Sequence, residues 1–192
     1  MKKTRYKIGV MGTAGRGKVL PQELLQKAKE LGKEIARRGC ILITGACMGT
    51  PQAATEGANE VEGLIVGFSP AANLKEHLGL PIEYPPPVEN CLLIFTGMGK
   101  EGRNILSIRN CDGVVFIGGG AGTLMEFSIA YHMGKTIGIL EEVEGISRRI
   151  FELFKFLKER RDMGSILVSD SDPEKLVDKI IEVVKQKRKR AG

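Results

Sequence analysis

Short apolar runs alternate with longer segments of helical period along the chain. "GVVFI" and "TIGIL" are typical runs, each rich in Val or Ile and flanked by glycine or polar residues. A continuous apolar run of this length is typical of a strand that is buried on both faces of a parallel sheet. We predict strands at 7–11, 40–44, 64–68, 91–95, 113–117, 136–140 and 165–169.

The segments between these runs have the spacing of amphipathic helices. "QELLQKAKELGKEIARRG" places its apolar residues on one face and ends at Gly39, a residue type that tolerates the left-handed turn closing a helix. A second helix begins near Thr50, and Asp172 before Pro173 is a suitable cap for the last one. Further helices are predicted at about 101–110, 123–133, 146–161 and 173–188.

One segment, at 69–90, interrupts this alternation. Its three consecutive prolines enforce extended backbone, so we expect a long surface connection with one helical turn near "NLKEHL". A loop of this length either covers a site or serves as a plain linker. The remaining alternation of strands and helices predicts an α/β fold: a single Rossmann-like, doubly wound parallel sheet of about seven strands with helices on both faces.

Length and composition favour one globular domain, which we place at 1–184, followed by a basic C-terminal tail at 185–192. The formal net charge is +6, but "KQKRKR" in this tail supplies five of the positive charges, so nucleic acid is an unlikely partner. No apolar run approaches the ~20 residues that span a bilayer, which predicts a cytoplasmic protein with no membrane partner. The four cysteines form no CxxC pair, so neither a metal site nor a disulfide framework is predicted.

Three strands end in glycine clusters: "GTAGRG" after the first, "TGACMG" after the second and "GGGAGT" after the fifth. In an open parallel sheet these loops meet at the carboxyl edge, where glycine lets backbone amides approach a phosphate. The sequence therefore predicts a phosphate- or nucleotide-binding cleft. Its candidate binding residues are Gly12, Thr13, Gly45, Met48, Gly49, Gly119, Gly120, Gly122 and Thr123.

"GTAGRGKV" fits the first part of a P-loop and then departs from it. Val19 stands where a Ser or Thr hydroxyl should reach Mg²⁺, and no later strand ends in the aspartate that such sites use. The GxGxxG spacing of a dinucleotide site is also missing. ATP hydrolysis and NAD chemistry are therefore disfavoured, and no required cofactor is predicted.

Glu126 has two explanations from spacing alone. Thr123 followed by Glu126 matches a capping box, in which both side chains satisfy free N–H groups at a helix start. A phosphate at that helix end would compete for the same N–H groups, and the carboxylate would then face the cleft. Arg103 comes from another glycine-rich loop, "GMGKEGRN", on a first turn where the helix dipole disfavours a positive charge unless an anion is near.

These residues together resemble the Lonely Guy superfamily of phosphoribohydrolases, over about residues 7–140. "GGGAGTLMEF" is similar to the family's PGGxGTxxE motif, and "TGMGKEGRN" to its arginine loop. The resemblance implies that Glu126 and Arg103 are catalytic, that the glycines and Thr123 hold the phosphate of a nucleoside 5′-monophosphate, and that the protein is a homodimer or larger.

Three departures from the family pattern favour its branch of molybdenum cofactor carrier proteins. Gly118 replaces a proline, Asn104 replaces a lysine, and "TGAC" replaces a triple glycine. Two hypotheses follow from the resemblance. The protein hydrolyses the N-glycosidic bond of a nucleoside 5′-monophosphate, or it binds and carries a nucleotide or molybdopterin-type ligand without turnover. The decarboxylase activity often attributed to such sequences has no lysine to support it.

Overall fold

The computed structural model describes residues 5–15, 17, 19–80 and 84–191. Seven strands run through it in the order that the apolar runs predict. They are β1 (Lys7–Gly12), β2 (Ile41–Thr44), β3 (Ile65–Ser69), β4 (Cys91–Phe95), β5 (Gly113–Ile117), β6 (Thr136–Leu140) and β7 (Ile166–Asp170).

The described residues form seven α-helices, of which six connect the strands and the seventh follows β7. They are α1 (Gln22–Arg37), α2 (Thr50–Asn59), α3 (Leu74–Gly79), α4 (Gly99–Arg109), α5 (Ala121–His132), α6 (Ile150–Arg160) and α7 (Pro173–Ala191). A single 3-10 turn, Ile146–Arg149, leads into α6. Asp172 caps α7 as predicted, since its carboxylate accepts from the Glu174 backbone N–H at 2.9 Å. No helix among the described residues is both long enough and apolar enough to cross a membrane.

All strands are parallel, in the order β4-β3-β2-β1-β5-β6-β7. The chain lays down β1 to β4 in one direction and then returns to place β5 beside β1. The order therefore reverses between β1 and β5, which is where parallel sheets of this class form a crevice at their carboxyl edge. This is the Rossmann-like α/β fold that the sequence predicts.

Successive residues of the central strands point alternately into two separate hydrophobic cores. Val115 of β5 packs in one core with Leu31 of α1 and Leu176 of α7. Phe116, its neighbour on β5, points to the opposite core, with Phe127 of α5. Because both faces are covered, every residue of β5 and β6 is buried, which explains their uninterrupted apolar sequences.

The basic C-terminal run continues the last helix. The predicted boundary between residues 184 and 185 lies inside α7, which extends unbroken to Ala191. Lys187 donates from Nζ to the carbonyl oxygens of Gly134 and Gly164, both at 2.7 Å. Arg188 pairs with Asp112 at 2.9 Å. Two of the five basic side chains therefore bind the amino edge of the sheet.

Candidate functional site

The loop after β5 is pinned by bonds to both of its neighbours. Gly118 and Gly119 have φ of +65° and +84°, values that glycine adopts without strain. The Gly119 N–H donates to the Thr13 hydroxyl oxygen at 2.8 Å, and the Gly118 N–H donates to the Ser147 hydroxyl oxygen at 2.9 Å. These two amides hold the loop in place, and the Gly119 amide, predicted to bind phosphate, is engaged by Thr13.

Of the two explanations for Glu126, the capping box with Thr123 does not hold in the structure. Gly120 is the N-cap of α5, so Thr123 lies inside the first turn, and no side chain caps this helix among the described residues. The Thr123 hydroxyl instead donates to the Gly12 carbonyl oxygen at 3.3 Å, tying α5 to the end of β1. Glu126 is thereby left for another role.

The first turn of α5 has the properties of an anion seat. The first N–H groups of a helix have no partner within it and carry a partial positive charge. A side chain built at Gly120 or Gly122 would meet nothing within 4 Å, so the approach to these amides is open. Of the predicted phosphate residues, Gly120 and Gly122 thus present accessible backbone, while Thr123 contributes through its position in the turn.

Glu126 and Arg103 face each other across the crevice. Arg103 Nη1 donates to Glu126 Oε1 at 3.4 Å and to Asn104 Oδ1 at 2.7 Å. Only 6% of Arg103 and 7% of Glu126 is exposed, so both charges are nearly out of water. Burial raises the pKa of Glu126 to about 7, and the adjacent Arg103 offsets this only in part. The carboxyl group can therefore give or take a proton near neutral pH.

Gly45, the residue after β2, has no side chain, and the guanidinium of Arg103 occupies the space where a side chain would lie. A Cβ at Gly45 would lie 2.4 Å from both terminal guanidinium nitrogens, so only glycine fits beneath the arginine. Arg103 Nη1 is satisfied by Asn104 and Glu126. Arg103 Nε, by contrast, is buried without a hydrogen-bond partner in the described structure. A buried N–H of this kind costs free energy unless something accepts from it, and a ligand is the simplest acceptor.

These groups enclose a cavity of about 120 Å³. Its lining combines the loop after β1, the loop after β2, the start of α4 and the first turns of α5. The lining residues are Met11, Gly12, Ala14, Gly45, Cys47, Pro51, Tyr84, Lys100, Glu101, Arg103, Asn104, Gly122, Met125 and Glu126. The structure thus brings together Gly12, Gly45, Arg103, Gly122 and Glu126 from the predicted set.

Two predicted residues lie in a neighbouring groove instead. Met48 and Gly49 line a groove with Gln52 and Glu56 of α2. Gly49 has φ of +82° and packs against the Thr13 carbonyl, so it shapes the loop. Thr13 serves the loops in the same way, through its bond to Gly119.

The sequence did not indicate Tyr84 or Cys47. Tyr84 comes from the proline-rich segment, is 6% exposed and lines the cavity. Cys47 follows the glycine at the end of β2, and burial raises the pKa of its thiol, which keeps it neutral and unreactive. The only available signal was position: both residues belong to segments that leave the carboxyl ends of strands. Among the described residues, no group of three His, Cys, Asp or Glu side chains could hold a metal ion.

The fold and this crevice define a Rossmann-like α/β protein with a cavity at its topological switch point. The model of the SLOG cluster4 family matches residues 5–177 of the chain. The protein therefore belongs to the SLOG cluster4 family, which confirms the predicted superfamily resemblance.

Three relatives illustrate this membership. An uncharacterized protein of Archaeoglobus fulgidus is 30% identical over 149 residues, which is 76% of this chain and 89% of that protein. The molybdenum cofactor binding protein of Rippkaea orientalis superposes with a TM-score of 0.74 and 28% identity, covering 94% of this chain and 98% of that one. The molybdenum cofactor carrier protein of Chlamydomonas reinhardtii gives a TM-score of 0.65 and 28% identity, covering 95% and 98% of the two chains.

Proposed function

We propose that this protein binds a phosphate-bearing, nucleotide-like small molecule in the crevice between β1 and β5. The observation that carries the proposal is the unpartnered Nε of Arg103, which lies in a cavity whose wall includes Gly122 on the first turn of α5. The phosphate sits on the α5 amides and the rest of the ligand extends over Arg103. This arrangement pairs an anion with the two positive features of the site.

The ligand class has support from the solved neighbours. Two of them, each 28% identical to this chain, are named for binding or carrying the molybdenum cofactor. We therefore propose a molybdopterin-type cofactor or a related nucleotide as the cargo, held without turnover. The residues present suit such a cargo because its phosphate would use the open amides near Gly120 and Gly122, which require no particular base or metal.

Hydrolysis of a nucleoside 5′-monophosphate is the second candidate, and one observation favours it. The pKa of Glu126 near 7 suits a group that exchanges protons at neutral pH. In this reaction water adds to the anomeric carbon, the glycosidic bond breaks toward the base, and ribose 5-phosphate is released. The Glu126 carboxylate would stabilise the positive charge that develops on the sugar and accept a proton from the water.

One experiment separates these candidates. Purified protein is titrated by calorimetry with AMP, GMP, CMP, UMP and molybdenum cofactor, and each mixture is then analysed for free base by chromatography. Saturable binding without base release supports the carrier, and release of base supports the hydrolase. The Glu126→Gln variant keeps its affinity in the carrier case and loses turnover in the hydrolase case. If none of these compounds binds, the proposed function is wrong.

We also propose that copies of this chain associate, as the family resemblance implies, and that they do so through α4 and α5. The two helices pack together and expose Ile105, Leu124 and Met125, and Met98 at the N-cap of α4 is exposed beside them. Exposed apolar groups concentrated on adjoining elements favour protein contact. Light scattering on the eluting protein would report the mass, and Leu124→Asp should shift a dimer toward monomer. The cytoplasmic location stays a prediction.

A further inference from the structure

Asn104 lies on the buried face of α4, next to Arg103. The buried residues of this helix, spaced as one helical stripe, are Arg103, Asn104, Ser107 and Ile108. Asn104 is 6% exposed and lines the same cavity as Arg103 and Glu126. A buried side-chain amide costs free energy unless it is hydrogen bonded, so Asn104 needs a partner inside the site.

That partner is the Arg103 guanidinium. Arg103 Nη1 donates to Asn104 Oδ1 at 2.7 Å, whereas its distance to Glu126 Oε1 is 3.4 Å. A guanidinium can only donate, so the amide oxygen of Asn104 faces it and the amide NH2 points away. Asn104 replaces the lysine of the family pattern, and a lysine has no acceptor to offer a guanidinium.

The ion pair between Arg103 and Glu126 is left open by this arrangement. An arginine and a carboxylate usually pair at N–O distances of about 2.7 to 2.9 Å, often through two parallel bonds. Here a single contact of 3.4 Å joins the two side chains, and Arg103 Nε has no hydrogen-bond partner in the described structure. A guanidinium that moved to close the pair would lengthen its bond to Asn104.

We infer that Asn104 is a positioning residue of the candidate site. Its amide oxygen holds Arg103 Nη1 and keeps the guanidinium from forming a full ion pair with Glu126, so the positive charge stays available to an anionic ligand. The inference rests on the proposed function insofar as the ligand is an anion bound by Arg103. An amide suits this role because it is a neutral acceptor, which fixes the guanidinium without cancelling its charge.

Asn104→Leu is the direct test, because leucine has nearly the shape of asparagine and no acceptor. Asn59→Leu is the matched control: Asn59 Oδ1 accepts from the side chain of Asn90 at 3.2 Å, and Asn59 is not part of the cavity lining. Both variants lose amide hydrogen bonds, so we expect similar small decreases in melting temperature. Only Asn104→Leu should weaken binding of AMP, by about ten-fold, because the guanidinium then closes on Glu126.

Removing the charge of Glu126 should relieve this loss. In the Glu126→Gln background the guanidinium has no carboxylate to close on, so adding Asn104→Leu should change AMP affinity by no more than about two-fold. A merely structural role of Asn104 would weaken binding equally in both backgrounds. A loss of affinity that persists with Glu126→Gln would therefore overturn the inference.

A second readout needs no ligand. The carboxyl ¹³C signal of Glu126, assigned by its loss in Glu126→Gln, is followed across pH. The other titratable side chains of the cavity lining, which all variants share with Arg103, are Cys47, Tyr84, Lys100 and Glu101. Asn104→Leu should lower the midpoint of this titration by about one pH unit, because a closed pair with Arg103 favours the ionised carboxylate. Asn59→Leu should leave the midpoint unchanged.

Asn104→Asp covers the case in which Asn104→Leu does not fold. It keeps an acceptor of the same shape for Arg103 Nη1 and adds a negative charge, which should raise the Glu126 midpoint by about one pH unit. If AMP fails to bind the wild type, the proposed function is in error and these titrations still decide the role of Asn104. A Glu126 midpoint that responds to neither substitution would contradict the inference.

Discussion

Arg38 and Arg103 lie at opposite edges of the same sheet and differ in how their charges are satisfied. Arg38, at the amino edge, donates from Nε and Nη2 to the two carboxylate oxygens of Asp178 at 2.6 and 2.9 Å, and its Nη1 pairs with Glu34. Arg103, at the carboxyl edge, has one carboxylate at 3.4 Å and a buried Nε with no partner in the described structure.

The difference shows why counting charges does not locate a binding site. The amino edge also carries Lys187 and Arg188, yet carbonyl groups and Asp112 already satisfy them. A buried donor with every bond made stabilises the fold, while a buried donor with one bond missing is destabilising until a ligand supplies the acceptor. The carboxyl edge thus has a buried donor, Arg103 Nε, with no partner in the described structure, although the basic run is elsewhere.

The largest effect is expected from removing each arginine in turn. Arg103→Met should weaken AMP or cofactor binding by about 100-fold or more, because a charge-assisted contact in a dry cavity is lost. Arg38→Met should leave that affinity unchanged and lower the free energy of unfolding by about 2 kcal/mol. Calorimetry and urea denaturation measure the two quantities. Equal affinity losses in both variants would remove the distinction between the two edges.

Glu126 predicts an unusual dependence of stability on pH. Burial raises the pKa of Glu126 from the ordinary 4.5 to about 7. Between these two pH values the folded protein therefore keeps a proton on Glu126 that the unfolded chain releases. The stabilisation is complete below pH 4.5 and is lost as pH rises through about 7. Relative to Glu126→Gln, the wild type should lose roughly 3 kcal/mol of unfolding free energy across this window.

Urea denaturation of both proteins at several pH values checks this expectation. The difference between wild type and Glu126→Gln is the relevant quantity, since it cancels the titration of all other groups. A difference that stays constant from pH 4.5 to 7.5 would show that Glu126 has the same pKa in the folded protein as in the unfolded chain, as an exposed carboxylate does.

A smaller effect is expected from a single methyl group beneath Arg103. Gly45→Ala adds a Cβ that would lie 2.4 Å from the nearest guanidinium nitrogen of Arg103. The added methyl group should displace the arginine and weaken ligand binding about ten-fold. Gly39→Ala is the control at the amino edge, because its Cβ would meet nothing and only its φ of +68° is strained. That variant should lose about 1 kcal/mol of stability and no affinity.

The smallest effect concerns the end of α7. Lys187→Met removes two donated bonds to the carbonyl oxygens of Gly134 and Gly164, which close the end of α5 and the turn before β7. We expect a loss of about 1 kcal/mol in unfolding free energy and no change in ligand affinity, because this end of α5 lies far from the first turn, where we propose that the ligand binds. A change in affinity would show that the two ends of α5 are coupled.

The sequence predicted the strands well because a strand that is buried on both faces has a continuous apolar sequence. β5 and β6 are continuous apolar runs and are fully buried. β4 has the same kind of sequence, yet it is an edge strand whose Leu92 is 64% exposed. The lateral order of strands depends on contacts between distant residues, so an apolar run does not distinguish an edge strand from a central one.

The candidate site was predicted in part for a related reason. Glycine clusters and the positions of Arg103 and Glu126 are local signals, and the structure brings them to one cavity. The capping-box explanation of Glu126 does not hold because the N-cap of α5 is Gly120, which places the Thr123 hydroxyl against the Gly12 carbonyl. Tyr84 was missed because its place in the cavity lining depends on tertiary contacts of the proline-rich segment, and no spacing pattern in the sequence predicts those contacts.

The contact between Arg188 and Tyr6 affects how this protein should be handled. The guanidinium lies 4.5 Å from the ring centroid, so the last helix and the first strand meet at the amino edge, across the sheet from the crevice. Anchoring the molecule to a sensor chip through this edge would orient the crevice toward the flowing sample. A pulldown that captures the chain by its basic helix would likewise leave the proposed ligand site in the crevice accessible.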